Sequence, residues 1–167
     1  MPIDSSHYLH SSLREKILEH LFIGEVLKHP WKKNIRDIEV LKAEVDSGGY
    51  DVVISCNGIS RHIQLKASYN GASTSEQKVQ LSLGTKPSGC VIWLQFDPDN
   101  LDLGPFYWFG CPPGQPLPVI IDKKVAKHTK GNAQGEKLER PNLRVLVKRD
   151  FTKLESVDEI VFQLFGI

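Results

Sequence analysis

The stretch GGYDVVISCNGISRHIQLK, residues 48–66, constrains the fold more than any other part of the chain. Its paired glycines permit the positive φ that a tight turn needs. Two apolar-rich runs follow, joined by Asn57-Gly58, the strongest two-residue hairpin signal. The stretch therefore reads as a turn, a strand over 50–54, a hairpin turn and a strand over 61–67. Side chains alternate across a strand, so Gln64 and Lys66 share one face while Ile63 and Leu65 share the other. Asp51 stands at the start of the first strand. An acid, an amide oxygen and an ammonium gathered at the end of a sheet can hold a metal ion and the water it activates.

The flanking sequence supplies a scaffold for such a sheet. Ser12-Leu13-Arg14-Glu15 has the S-x-x-E form of a capping box, in which each end satisfies the other's free backbone N–H. Leu13, Ile17, Leu18, Leu21 and Phe22 then follow at helical spacing, and His29-Pro30 is expected to end the helix. A strand is expected over 38–41 and a turn over 44–49. Residues 69–78 are polar and read as a loop, and 79–83 alternates as a strand does. Residues 91–96 form an apolar run suited to a central, buried strand. Residues 105–110 form a further strand, with Phe106 and Trp108 on one face and Tyr107 and Phe109 on the other. The run CPPGQPLP at 111–118 is an irregular connection. A strand over 143–147 and a closing helix over 156–164 complete the order. The expected class is α/β (α+β), a single domain over residues 1–167 with a central mixed β-sheet flanked by helices.

Composition narrows the function. The net charge of +1 gives no whole-molecule field to attract a polyanion, so a nucleic-acid partner would have to meet a local patch. Cys56, Cys90 and Cys111 include no CxxC pair, which argues against a zinc knuckle and against a disulfide framework. They read as reduced packing residues of a cytoplasmic protein. No basic-then-apolar leader opens the chain, and no run approaches the roughly 18 apolar residues of a membrane span, so no membrane partner is expected.

A Mg²⁺ site needs oxygen ligands, and one or two carboxylates with waters and a substrate phosphate suffice. Asp51 supplies a carboxylate, Gln64 a neutral side-chain oxygen, and Leu65 a main-chain carbonyl. Lys66 is the cation that can orient an attacking water and offset charge in the transition state. The order of helix with Glu, strand, Gly-Tyr-Asp strand, hairpin and a strand ending Gln-Leu-Lys resembles the core of the PD-(D/E)xK nuclease superfamily. That group includes restriction endonucleases and archaeal Holliday-junction resolvases. The resemblance covers residues 13–68. It implies a restriction-endonuclease-like fold, a metal-dependent nuclease using Mg²⁺ (or Mn²⁺), DNA as partner and, as in many members, a homodimer. It also implies that Asp51 and Gln64 bind the metal, that Lys66 positions the water, and that a helical glutamate completes the shell. An acid is the more usual residue where this chain has Gln64, and a neutral ligand holds a metal less strongly.

Two glutamates compete for the helical role. At about 100° per residue, Glu25 falls near Leu18, Leu21 and Phe22 on the face that a sheet would cover, whereas Glu19 falls on a more polar side. Glu25 is therefore the first expectation and Glu19 the second. Glu44 and Asp46, in the turn before Asp51, read as ordinary turn residues. His62 and Ser68 extend the face of Gln64 and Lys66, and Ser68 could touch a phosphate. Residues 123–149 carry nine Lys or Arg against two Glu. Within them His128, Thr129, Lys130 and Asn132 form a candidate loop for gripping a nucleic-acid backbone. Two other classes stay open at this point. One is a non-catalytic nucleic-acid-binding or protein-interaction module that kept the nuclease fold. The other is an interaction protein that docks a partner through the aromatic strand and the proline-rich connection.

Overall fold

The computed structural model describes residues 9–45 and 47–167. Among these, nine strands and two α-helices form three layers. The central layer is a six-stranded sheet of order β1-β2-β3-β5-β6-β9. Its strands are β1 (Ile38–Lys42), β2 (Val52–Cys56), β3 (Ile59–Tyr69), β5 (Gly89–Phe96), β6 (Leu103–Gly110) and β9 (Thr152–Leu154). The pair β3·β5 is parallel and the other neighbours are antiparallel, so the sheet is mixed. Helices α1 (Ser11–Lys32) and α2 (Val157–Phe165) cover one face. A smaller sheet of order β4-β8-β7 covers the other, from β4 (Glu76–Gln80), β7 (Val125–Lys127) and β8 (Glu139–Val147). The expected α+β class with a mixed central sheet is what the chain adopts, and the three-stranded sheet is an addition to it.

Alternation along the strands explains the layering. Ile63 on β3, Cys90, Ile92 and Leu94 on β5, and Phe106 and Trp108 on β6 face the helices, where Leu18, Phe22, Val26, Ile160 and Leu164 meet them. Val91, Trp93 and Tyr107 face the small sheet and pack with Val79, Leu83 and Leu146. Every residue of β5 is buried, as expected for a central strand covered on both faces. The hairpin forms as its sequence predicts, with Asn57 and Gly58 at φ 50° and 76°.

Several boundaries differ from the expected ones for physical reasons. Ser12 does not cap α1. His10 flanks the helix, the Arg14 N–H already bonds to the His10 carbonyl, and Ser12 lies inside the first turn. Pro30 does not end it either, because the helix runs on to Lys32. The stop is a Schellman arrangement around Asn34 at φ 60°. The Ile35 N–H reaches the Pro30 carbonyl and the Asn34 N–H reaches the Trp31 carbonyl. The strand expected over 79–83 is instead the end of β4 followed by a 3-10 helix, Leu81–Thr85, which turns Leu83 into the second core. The polar residues Glu76, Gln77 and Lys78, expected in a loop, are strand because β8 supplies their ladder partners. Tertiary pairing overrides local propensity there.

Arg61 is fully buried on the helix-facing side of β3. Its Nη2 donates to the Cys111 carbonyl at 2.9 Å and its guanidinium lies over the Trp108 ring. Burial holds its pKa below the usual arginine range.

Candidate active site

The turn before β2 sets the position of Asp51. Gly49 has φ 76°, and a Cβ there would lie 2.7 Å from the Gln80 Cβ and 2.6 Å from the Ser82 Oγ. Only glycine lets the chain pass so close to the end of β4 with that backbone. The ladder proper begins at Val52, two residues later than expected, yet Asp51 already belongs to it. Its N–H donates to the Ile63 carbonyl at 2.9 Å, and its Oδ2 accepts the Leu65 N–H at 2.7 Å. The carboxylate thus stands where a further β2 carbonyl would have been. Alternate residues of an antiparallel strand turn both backbone groups to the same neighbour. The Leu65 carbonyl therefore faces the same gap, beside the Asp51 side chain.

A cavity of about 350 Å³ opens at this edge. Asp51, Leu65, Lys66, Glu19, Lys16 and Gln77 are among its lining residues. Glu19 approaches from the helix side of the sheet. Lys66 shares its strand face with Gln64 and approaches from the side of the small sheet, whose β4 contributes Gln77. The two faces meet here because β3 runs on past the point where β2 begins.

The structure places Glu19, the second expectation, at the cavity and Glu25 away from it. The buried residues of α1 are Leu18, Phe22, Ile23, Val26 and Pro30, with Glu19 among them. At about 100° per residue they span an arc with Glu19 near its middle and Glu25 just outside its edge. Leu13, Ile17 and Leu21, which rotated the expected face the other way, are solvent-exposed. Glu25 is half exposed, pairs with Lys28 at 2.8 Å, and does not line the cavity. The Glu19 side chain is 11% exposed. Its Oε2 accepts from Lys16 Nζ at 3.1 Å, and Lys42 at the end of β1 pairs with its other oxygen. Burial pushes the Glu19 carboxyl pKa up, but the hydrogen bonds from Lys42 and Lys16 outweigh it and leave it lowered.

Lys16 and Lys42 were not among the expected site residues. Lys42 could have been found by pairing β1 antiparallel to β2, because it sits opposite Val52, one residue from Asp51. Gln64 is buried, its Oε1 accepts the Gln80 N–H at 3.3 Å, and it does not line the cavity. The neutral oxygen expected to face a metal is thus turned to β4. Ser68 is buried too and its hydroxyl accepts the Trp93 indole N–H at 2.9 Å. His62 is held by the Pro87 carbonyl at 2.7 Å and by a T-shaped contact with the Tyr50 ring. Glu44 does not line the cavity, and Asp46 lies outside the described residues.

His128, Thr129, Lys130 and Asn132 do come together. With Gly131 and Leu138 they line a surface hollow between β7 and β8 that shares no residue with the Asp51 cavity. The Asn132 Oδ1 is already engaged, accepting the Gln134 and Glu136 N–H groups at 3.0 and 2.9 Å. It holds the loop's shape, and His128, Thr129 and Lys130 are exposed beside it.

The groups on the cavity wall that can hold a cation are oxygens, among them the Asp51 and Glu19 carboxylates and the Leu65 carbonyl, with Glu15 also on the wall. Such a set suits a hard cation such as Mg²⁺ or Mn²⁺ rather than zinc. Among the described residues no group of three or more His, Cys, Asp or Glu side chains is placed to hold a metal. Backbone and water would therefore complete any such shell, as Mg²⁺ commonly requires. No helix among the described residues is long and apolar enough to cross a membrane.

A scan against protein-family models finds no match, and a search of curated proteins finds none. Among solved structures, the chain is similar to a bacterial homing endonuclease, I-Ssp6803I, at 22% identity and a TM-score of 0.37. The match spans 59% of this chain and 64%, under two thirds, of that one.

Proposed function

We propose that this chain is a metal-dependent nuclease of the PD-(D/E)xK kind, hydrolysing DNA phosphodiester bonds. One observation carries the reading: the acid that opens β2, the lysine on β3 and a buried glutamate of α1 line a single cavity at the sheet edge. In this reading Asp51, Glu19 and the Leu65 carbonyl would hold Mg²⁺ or Mn²⁺, which when bound activates water and stabilises charge on a phosphate. Lys66 donates to the attacking water and offsets negative charge as the phosphate is attacked. Gln64 acts behind it, tying β3 to β4 through Gln80 and so fixing the strand that carries Lys66. His128, Thr129 and Lys130 grip the phosphate backbone at a distance from the reacting bond. A homodimer, which lets a domain of this size address both strands, belongs to the same proposal.

Gln64 also motivates a second reading, a nucleic-acid-binding module that has lost cleavage. A neutral side chain turned to β4 brings no charge to a metal, and the remaining donors can serve binding alone. Titration of Mn²⁺ into wild type and Asp51→Asn, alongside a salt series of duplex binding, tests the first reading against the second. The nuclease reading expects Mn²⁺ binding that Asp51→Asn abolishes. Salt-sensitive DNA binding with no Mn²⁺ binding would overturn it and favour the module.

A further inference from the structure

Glu19 is the most enclosed carboxylate of the cavity, and it is already spoken for. Lys16, one turn earlier on α1, takes Oε2, and Lys42, at the end of β1, takes Oε1. The two lysines are themselves solvent-facing, with side chains 69% and 40% exposed. A nearly buried carboxylate is costly to leave charged without a partner. The ammoniums supply that partner, and they stand where a divalent cation would have to approach. Each sits on a long stem with water around it, so each can swing to another anion at little cost. Lys16 also lines the cavity that a phosphate backbone would enter, and Lys42 is joined to it through Glu19. Asp51 adds to this field, since it reinforces the charged form of Lys16 after the larger effect of Glu19 itself.

We propose that Lys42, with Lys16, is a resident counter-ion for Glu19, released to nucleic-acid phosphate when substrate binds, so that divalent metal and polyanion bind cooperatively. The proposal rests on the nuclease reading above and specifies how that site is regulated. Without a polyanion, the metal competes with two ammoniums for one carboxylate. With one, the lysines transfer to phosphate and the carboxylate is freed. Linkage makes the effect reciprocal, and the factor by which DNA tightens metal binding is the factor by which metal tightens DNA binding.

The test measures the Mn²⁺ dissociation constant from the free-ion electron paramagnetic resonance signal, for wild type, Lys42→Met and Lys16→Met. Each protein is titrated alone and with a duplex carrying phosphorothioate linkages. Lys42→Met is expected to tighten Mn²⁺ binding to the free protein by about tenfold and to shrink the gain from duplex by a similar factor. Lys16→Met, on the exposed side of α1, reads the same contact from its other partner and should act in the same direction. Mn²⁺ affinity that is unchanged or weaker in both variants overturns the proposal. Asp51→Asn separates the two levels of inference. Asp51-dependent Mn²⁺ binding that the lysine variants leave unmoved sinks the counter-ion idea alone. Absence of Mn²⁺ binding in every protein, with or without duplex, sinks the metal site as well.

Discussion

Ser68 gives a perturbation whose outcome separates two accounts of one residue. By position, two residues beyond Lys66 on the same strand face, it suits a phosphate contact. By structure it is buried, and its hydroxyl accepts the N–H of Trp93, whose side chain is wholly enclosed. Ser68→Ala leaves that indole N–H without an acceptor in a site closed to water. An orphaned buried donor costs about 1–3 kcal/mol. For a chain of this length each kcal/mol moves Tm by roughly 2–4 °C, so a mid-range cost of ~2 kcal/mol lowers Tm by roughly 4–8 °C. Urea denaturation followed by circular dichroism should show the midpoint falling with the slope unchanged. Duplex affinity, read by fluorescence anisotropy below the transition, should not move. The partner substitution Trp93→Phe removes the donor but opens space. The double variant should therefore be less destabilised than the sum of the singles, by about 1 kcal/mol or more. Unaltered stability together with weakened DNA binding would refute the reasoning and return Ser68 to the substrate.

Gly49→Ala should destabilise by at least about 1–3 kcal/mol, since φ 76° strains an alanine and its Cβ would press on Gln80 and Ser82. Displacement of Asp51 should accompany it, read as weaker Mn²⁺ binding at temperatures where the variant is still folded. Asp150 accepts from Lys123 at 2.7 Å and from the Val147 N–H at 2.9 Å. Burial pushes its carboxyl pKa up, but these donors outweigh that and hold it below the usual carboxylate range. A lowered folded pKa gives stability that is present above the unfolded value near pH 4 and is lost as pH falls through the folded value. Asp150→Asn should therefore cost stability at pH 7 and flatten the acid limb of the stability profile. A profile parallel to wild type across that range would contradict this.

Much of the central sheet is legible in the sequence because its signals are local. Asn57-Gly58 fixes the β2–β3 hairpin, and the alternation of Phe106, Tyr107, Trp108 and Phe109 assigns each ring to its layer. The closing helix carries an S-x-x-E at 156–159, and there its serine caps: the Ser156 Oγ accepts the Glu159 N–H at 3.2 Å, while the Glu159 carboxylate accepts the Glu155 N–H at 2.7 Å. The same pattern at 12–15 is idle because the helix has already started at Ser11. What the sequence hides depends on remote partners. Which stripe of α1 is buried depends on how the helix rolls against β3, β6 and α2, and that roll decides which of Glu19 and Glu25 is buried. The strand at Glu76–Gln80 exists because β8 returns to pair with it. Lys42 reaches Glu19 only because the end of β1 is brought beside the start of β2. Gln64 reads as an inward-facing ligand until the end of β4 supplies its backbone donor.

The central claim is that Lys66 and the acids around it cut a phosphodiester bond. It is tested most directly by incubating labelled linear duplex, four-way junction, single-stranded DNA and RNA with wild type and Lys66→Ala, in Mg²⁺ and in Mn²⁺. The account predicts metal-dependent cleavage of at least one DNA substrate by the wild type, lost in Lys66→Ala while DNA binding persists. Cleavage that survives in Lys66→Ala, or a wild type that binds DNA and metal yet cuts none of the panel, would contradict it.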